Sequence, residues 1–302
     1  MSAAAEPPFR PVQVVAVHVS PTRAALRRFL RHRLAIVGVF LVSTILVMAA
    51  IAPLLSPWAP NWIDFETGAR QAPSAAHLLG TDVAGRDIWA RLLYGGRTST
   101  IVGFGAVGLY LIIGTTLGML AGFYGGIVDQ LIMRFTDTIL SIPPLLLIIV
   151  FVSVVGPSIG SVIVVIALLG WPVTCRLVRG QLLVLREAEF ITAARVLGVP
   201  DRAILLRHML PNVLGPITVV ATFGVATAVL LESSLSFLGL GVRPPEASWG
   251  NLITEAVSPV VLNQLWWQWM PAAVAITATV LGVNFIGDGL RDAIDPRTSK
   301  RG

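Results

Sequence analysis

Apolar residues in this chain gather into six long runs, separated by short polar or glycine- and proline-rich stretches. Each run has about 17 to 24 residues, the length that an α-helix needs to cross roughly 30 Å of hydrocarbon. Spans of this kind fold as helices, because lipid offers no hydrogen-bond partner to an open backbone. The predicted spans are Leu34–Ala52, Thr98–Ala121, Thr138–Val155, Ile159–Cys175, Val213–Leu231 and Trp269–Gly287.

Composition supports an all-α, polytopic membrane protein. Of the 302 residues, 55% are hydrophobic and only 13% are charged, whereas a soluble domain carries about a quarter charged residues. A cleaved signal peptide is an alternative for the first run, since Ala50-Ile51-Ala52 resembles a cleavage site. The run is too long for a signal core, however, and 33 residues precede it.

Orientation follows from the distribution of Lys and Arg. With a cytoplasmic N-terminus, 17 of these residues lie in inner segments and five in outer loops, as the positive-inside rule requires. The prediction is six spans with both termini cytoplasmic. The resulting segments are a cytoplasmic tail (1–33), a transmembrane domain (34–291) and a cytoplasmic C-terminal tail (292–302). The transmembrane domain contains outer loops 53–97 and 232–268 and a cytoplasmic loop 176–212.

Several functional classes are excluded by what the chain lacks. The net charge of +6 comes from Arg residues at the ends of apolar runs, which does not fit a nucleic-acid surface. Cys175, the single cysteine, is expected to be buried and inert, and the four histidines show no ligand spacing. Since Lys300 is the only lysine, no P-loop can be present. We expect no catalytic, metal or cofactor site, and the chain is not predicted to be an enzyme.

The loop from Arg186 to Pro211 is too polar to span and too apolar for a solvated loop. Glu187–Leu197 is predicted to be a short helix that ends at Gly198, with Pro200 beyond it. A second helix is expected to begin at Asp201 as N-cap and to end before Pro211. The result is a cytoplasmic protrusion with an elbow; the alternative is an amphipathic helix lying on the membrane.

This loop resembles the EAA loop of binding-protein-dependent ABC importers. Ala193-Ala194 is followed by three residues and Gly198, and nine further residues precede His208-Met209-Leu210-Pro211. Two positions depart from the family pattern: Thr192 replaces its Glu and His208 replaces its Ile. Glu189, three residues earlier, is the candidate for the missing acidic group.

Further stretches resemble the C-type permease subunit of dipeptide and oligopeptide importers. They are Leu79-Gly80-Thr81-Asp82 with Gly85-Arg86-Asp87 and Arg91; Ser236 to Gly241 with Pro244-Pro245 and Ser248-Trp249-Gly250; and Asn284, Gly287 to Asp292 and Asp295-Pro296. The same subunit type occurs in nickel and glutathione importers. The resemblance implies a type I ABC importer permease fold in a bacterial inner membrane. It also implies a second homologous permease, one or two ATPase subunits that hydrolyse the ATP, and an extracytoplasmic binding protein.

Two groups of site residues follow. The ATPase-coupling candidates are Glu189, Thr192, Ala193, Ala194, Arg195, Gly198, Asp201, Arg202, Leu210 and Pro211. The outer-face candidates are Gly80, Asp82, Gly85, Arg86, Asp87 and Trp249. The long first outer loop is interpreted as part of the surface that receives the loaded binding protein, the alternative being a cap that only closes the outer face.

Other residues carry narrower expectations. Three glycines at four-residue spacing in the second span are predicted to pack against a neighbouring helix; they are Gly114, Gly118 and Gly122. Arg134 and Asp137 are expected to form a local ion pair, and Glu255 to be solvated. Glu232 is either a functional intramembrane acid or an interfacial residue. A stand-alone secondary transporter would need coupling acids and inverted repeats, and a membrane hydrolase would need a catalytic set; neither pattern is found.

Overall fold

The computed structural model describes residues 21–243 and 245–294. Residues 1–20 and 295–302, which include Lys300 and the Asp295-Pro296 pair, lie outside the described residues, as does Pro244 of the second outer loop. Within these ranges the chain is helical, with two isolated β-bridges and no strand. The all-α prediction is confirmed.

Thirteen α-helices are named here in chain order. They are α1 (Pro21–Phe29), α2 (Arg33–Ala50), α3 (Ala52–Leu55), α4 (Ile88–Tyr124), α5 (Gly126–Ser141), α6 (Pro144–Val155), α7 (Ile159–Arg186), α8 (Glu189–Val196), α9 (Asp201–Ala203), α10 (Leu210–Phe237), α11 (Trp249–Thr254), α12 (Pro259–Gln264) and α13 (Met270–Ile294). A π-helical segment, Ile204–Met209, joins α9 to α10.

Five helical stretches are long and apolar enough to cross a membrane: α2, α4, α7, the stretch from α9 through α10, and α13. Most are longer than the predicted spans. Helix α4 has 37 residues, which is about 55 Å at 1.5 Å per residue. It begins at Ile88, well before Thr98, and α7 continues to Arg186, well past Cys175. The first residues of the predicted cytoplasmic loop (176–212), as far as Arg186, are therefore a helical continuation of α7.

The third predicted span is wrong as a straight helix. Thr138–Val155 is broken between α5 and α6, whose axes differ by 90°. The break falls at Ile142 and Pro143, and Pro144 is the first residue of α6. A proline has no N–H to donate and pushes the preceding residue out of the helical region, so two in succession end α5. The turn at Gly156–Ser158 that joins α6 to α7 lies where it was predicted.

The prediction of a second short helix ending before Pro211 is also wrong, because α9 runs through the π-helical segment into α10 without interruption. The proline ring is accommodated because the wider π turn precedes it. Asp201 is the first helical residue and not the N-cap, which is Pro200.

Helices α4 and α7 pack closely along a row of glycines. A Cβ at Gly114, Gly118 or Gly122 would lie 2.6–2.7 Å from atoms of α7. The packing role predicted for these glycines is confirmed. Between α4, α7 and α10, the Tyr110 ring lies against Gly170 and Gly224, at distances that leave no room for a side chain at either glycine.

We expect Gly118→Val to destabilise the protein, because its Cβ would meet the Cys175 carbonyl oxygen at 2.6 Å and the Val178 Cβ at 2.8 Å. Overpacking of this kind costs about 1–3 kcal/mol. Thermal unfolding followed by size-exclusion chromatography measures the effect. The matched control is Gly108→Val on the same helix, where nothing lies within 4 Å; equal losses of Tm in both variants would contradict the packing argument.

Candidate functional site

The loop predicted to be cytoplasmic is built around helix α8 and a glycine elbow. Gly198 has φ +76°, a conformation that glycine adopts without strain. The N–H of Val199 donates to the Ala194 carbonyl and the N–H of Gly198 to the Arg195 carbonyl, both at 3.0 Å. This is a Schellman motif, and it fixes the direction in which the chain leaves α8.

One face of α8 packs against its own chain. Ile191 is fully buried and Ala194 is 7% exposed. Both belong to a cluster that includes Phe123 at the end of α4, Leu182 of α7 and Met209 of the π-helical segment. Since three long helices contribute to this cluster, α8 is held firmly against the membrane domain.

Three large apolar residues in and directly after α8 are exposed. Val196 and Leu197 are 83% and 81% exposed, and Phe190 is 47% exposed. We call these three residues the docking face. Sequence reasoning missed them, because the loop contains other large apolar residues, such as Ile191 and Ile204, that are buried.

The structure divides the predicted coupling residues. Glu189, Thr192, Ala193, Arg195, Gly198, Asp201 and Arg202 are exposed, whereas Ala194 is buried and Leu210 and Pro211 lie in the first turn of α10. Of the two alanines, Ala193 is exposed, whereas Ala194 packs within the chain. The Arg195 guanidinium lies 5.5 Å from the centre of the Phe123 ring, a cation–π contact. Arg195 thus also braces α8 against α4.

Two ion pairs join α5 to α7. Arg179 binds Asp129 through both carboxylate oxygens, and Arg176 lies 2.5 Å from Asp137. The predicted pair between Arg134 and Asp137 is wrong, because the α7 side chain reaches Asp137 across the helix interface. The bidentate pair is the more ordered of the two, with side chains 30% and 18% exposed.

The first outer loop is organised by Asp82. One of its carboxylate oxygens accepts hydrogen bonds from the Ala84 and Arg86 N–H groups, and the other lies 2.7 Å from the Arg86 Nε. Arg91 of α4 approaches the same oxygen at 3.5 Å. Asp82 is 2% exposed, so its charge is balanced within the loop.

A second cluster centres on His77, which is fully buried. Its Nδ1 lies 2.9 Å from Asp87 and its Nε2 lies 3.2 Å from Asp64. Asp87 also caps α4 by accepting from the Ala90 N–H, and Trp58 stacks on the imidazole. No local spacing in the sequence pointed to this cluster, because Asp87 and Asp64 lie 10 and 13 residues from His77.

The two outer loops pack on each other. Gln268 Nε2 donates to the Thr81 carbonyl at 3.2 Å, and a Cβ at Gly80 would lie 3.0 Å from Trp267. Glu255 is half-buried, so the expectation that it is solvated is wrong. Burial raises the pKa of Glu255, as does the nearby Asp82 carboxylate.

Glu232 lies under this outer cap. It is fully buried and accepts hydrogen bonds from Ser99 on α4 at 2.8 Å and Ser236 at 2.9 Å. The Trp249 backbone N–H donates to Ser99, and its indole N–H donates to the Leu92 carbonyl. Glu232 is thus a cross-link among α4, α10 and the second outer loop.

The outer-face candidates are mostly internal. Gly80, Asp82, Gly85, Asp87 and Trp249 are buried, and Arg86 is half-buried. They shape the cap and do not form its surface. That the cap receives a binding protein stays a prediction.

Comparisons with known proteins settle the family. A family model described as "Binding-protein-dependent transport system inner membrane component" matches residues 114–300. The chain belongs to this family. A second model, "N-terminal TM domain of oligopeptide transport permease C", matches residues 20–73, which makes the chain a C-type peptide ABC permease.

Relatives agree over almost the whole permease. A Brucella suis protein named as a peptide permease is 45% identical over 285 residues, or 94% of each chain. The dipeptide transport system permease protein DppC of Alkalihalophilus pseudofirmus is 43% identical over 280 residues, covering 92% of this chain and 91% of that one. A solved structure of the MetNI methionine ABC transporter, in an inward-facing conformation, has a TM-score of 0.54 and 19% identity. It covers 68% of this permease and 96% of that chain, and it shows the shared fold.

We expect the His77 cluster to stabilise the permease at acidic pH and to lose this effect as the pH rises. Burial alone would lower the pKa of His77, but the hydrogen bonds to Asp87 and Asp64 outweigh it and raise the pKa above its ordinary 6.5. The contribution of protonated His77 to the free energy of unfolding is therefore complete below pH 6.5 and is lost as the pH rises through the raised pKa. Asp64 behaves oppositely. Hydrogen bonds from Thr67, and to a smaller extent from His77, hold the pKa of Asp64 well below 3.8. The contribution of the Asp64 carboxylate to stability is therefore lost only in strong acid.

The measurement is the Tm of wild type and His77→Gln across mildly acidic to alkaline pH. The variant should be less stable by about 2 kcal/mol at acidic pH, because charge-assisted hydrogen bonds are lost. The difference should shrink as pH rises. His208→Gln is the control, since no carboxylate contacts His208 within the described part of the chain; a pH-independent loss in His77→Gln would contradict the argument.

Proposed function

We propose that this permease forms a translocation path with a second homologous permease and imports peptides delivered by an extracytoplasmic binding protein. One or two separate ATPase subunits bind the cytoplasmic loop and hydrolyse the ATP, and this chain itself binds no cofactor. The observation that carries the proposal is the exposed docking face of α8. A short helix with exposed large apolar residues suits a helix-in-groove contact with a partner protein.

The docking face is suited to transmit force because neighbouring residues of the same helix are fixed. Ile191 and Ala194 anchor α8 in a cluster shared with α4, α7 and the π-helical segment. A partner that moves α8 must therefore move the cytoplasmic ends of these helices. This supports coupling by rigid contact and argues against the alternative of an amphipathic helix lying on the membrane.

The proposed cargo is a di- or oligopeptide, by analogy with the relatives named for dipeptide and peptide transport; import of nickel or glutathione by the same machine is the alternative. A cleft of 380 Å³ between α4, α7 and α10 is lined by uncharged residues, among them Tyr110, Thr174, Phe223 and Thr227. We assign it to the translocation path. A lining without fixed charge suits cargo whose side chains vary.

The rival hypothesis, a stand-alone secondary transporter, needs intramembrane acids as coupling sites. Among the spanning helices of residues 21–243 and 245–294, Glu232 is the one fully buried acid. Its serine hydrogen bonds give it a structural role, and the docking face would have no function in such a transporter.

Replacing Leu197 by Asp should uncouple the permease from its ATPase subunits. The side chain is 81% exposed, so the fold should tolerate the change, whereas the charge would be desolvated in the proposed contact. Loss of a central contact of about 2 kcal/mol weakens binding roughly thirtyfold. The readouts are co-purification of the ATPase subunits and the rise in ATPase rate that the loaded binding protein causes in proteoliposomes.

Leu197→Met is the matched control and should keep both properties. Ala193→Trp, on the exposed side, should act like Leu197→Asp. Ala194→Trp does not discriminate, because Ala194 packs within the chain itself. Normal stimulation in both Leu197→Asp and Ala193→Trp would contradict the proposed coupling surface.

The proposed topology places both termini and α8 in the cytoplasm and the first outer loop outside. In a Cys175→Ala background, a membrane-impermeant maleimide added to intact cells should label Ala76→Cys and not Thr192→Cys. Both positions are exposed, so accessibility depends on the side of the membrane. Labelling of Thr192→Cys alone would reverse the topology.

A further inference from the structure

Helix α1 has three distinct faces, and only one of them is used within the chain. Its side chains follow each other at about 100° around the axis. Phe29 lies 3.2 Å from where a Cβ of Gly289 would be, on α13, and the Arg28 guanidinium donates to the Ala293 carbonyl at 3.3 Å. This face holds α1 against the end of α13.

The second face is apolar and exposed. Leu26 and Leu30 are 58% and 57% exposed, and the N–H of Leu30 donates to the Leu26 carbonyl at 3.0 Å, which places the two side chains on one side, a turn apart. Neither belongs to the cores described above. Two adjacent leucines left outside the core need an apolar environment supplied from elsewhere.

The third face is basic. Arg27 and Arg31 are exposed, and no described carboxylate pairs with either of them. Arg33, also exposed, opens the spanning helix α2 directly after the turn. The His32 side chain, which accepts from the Ala35 N–H to cap α2, also lies 3.5 Å from Asp292, so α1 is tied to the beginning of one span and the end of another.

These positions fix α1 at the membrane boundary. Since α2 enters the lipid two or three residues after Arg31, α1 lies within reach of the lipid headgroups. Leucines on one face and arginines on the neighbouring face are the pattern of a helix that lies in the interface with its apolar side in the acyl region. Basic side chains at that depth attract anionic headgroups.

We propose that α1 is a binding surface for anionic phospholipids, with Leu26 and Leu30 inserted among acyl chains and Arg27 and Arg31 bound to headgroup phosphates. Because α1 packs on α13, this contact fixes the end of α13 at the membrane surface. The lipid is thereby a structural partner of the permease, independently of cargo and of ATP coupling.

The test uses the full chain with Cys175→Ala and Leu26→Cys, labelled with an environment-sensitive fluorophore and placed in nanodiscs. Nitroxide-labelled lipid should quench the fluorophore more strongly when phosphatidylglycerol is mixed with phosphatidylcholine than in phosphatidylcholine alone. The double variant Arg27→Glu with Arg31→Glu should shift the equilibrium from lipid-inserted to water-exposed α1 at least about tenfold in the mixed lipid. Arg27→Lys with Arg31→Lys should keep it, and unchanged Tm values show that each variant folds.

Three outcomes would overturn the proposal. One is quenching that depends on neither lipid charge nor the two arginines. Another is a fluorophore that stays in water until ATPase subunits are added, which would make α1 a protein-binding surface. The third is that adding inorganic phosphate to phosphatidylcholine nanodiscs gives the strong quenching expected of the mixed lipid, which would identify a free anion as the ligand. A probe at Leu206→Cys, on the exposed side of the cytoplasmic loop, gives the signal expected away from the lipid.

Discussion

The close approach of α4 and α7 sets the frame for the other helices. Carbonyl oxygens and Cβ atoms of α7 occupy the space that side chains on α4 would need, so Gly118 and its neighbours allow contact between the two backbones. In a membrane the solvent is as apolar as the side chains, so such van der Waals contact, and not burial from water, holds helices together. Helix α4 carries the outer cap at its first turn, and α7 leads into the cytoplasmic loop.

Polar interactions are concentrated at the two ends of this frame. At one end, the buried side chains of Asp82 and His77 organise the long first loop, which has no regular sheet within the described residues. At the other end, the Arg179–Asp129 pair ties α5 to α7 beside the cluster that holds α8. The part of the helices between these two ends is almost entirely uncharged. Glu232, beneath the cap, lies at the border between this part and the cap.

The sequence predicted the spans well because hydrophobic runs of that length have one physical solution in lipid. It predicted their ends poorly: a helix such as α4 continues into water after the hydrophobic signal stops. The break at Pro143-Pro144 was readable from the chain, since two prolines cannot continue a helix. The division between Ala193 and Ala194 was not, because it depends on how Phe123 and Leu182 approach α8 in three dimensions. The same holds for Asp137, whose partner Arg176 is distant in sequence.

One helical rod, from Asp201 to Phe237, has 37 residues and is about 55 Å long. Its first turn follows the Gly198 elbow, and its last turns carry Glu232 beneath the outer cap. A rod of this length behaves as a lever: a small tilt about its contacts with α4 and α13 moves its two ends in opposite directions. A displacement at the cytoplasmic loop therefore reaches the serine cross-link on the other side of the membrane without any change in the helices between them.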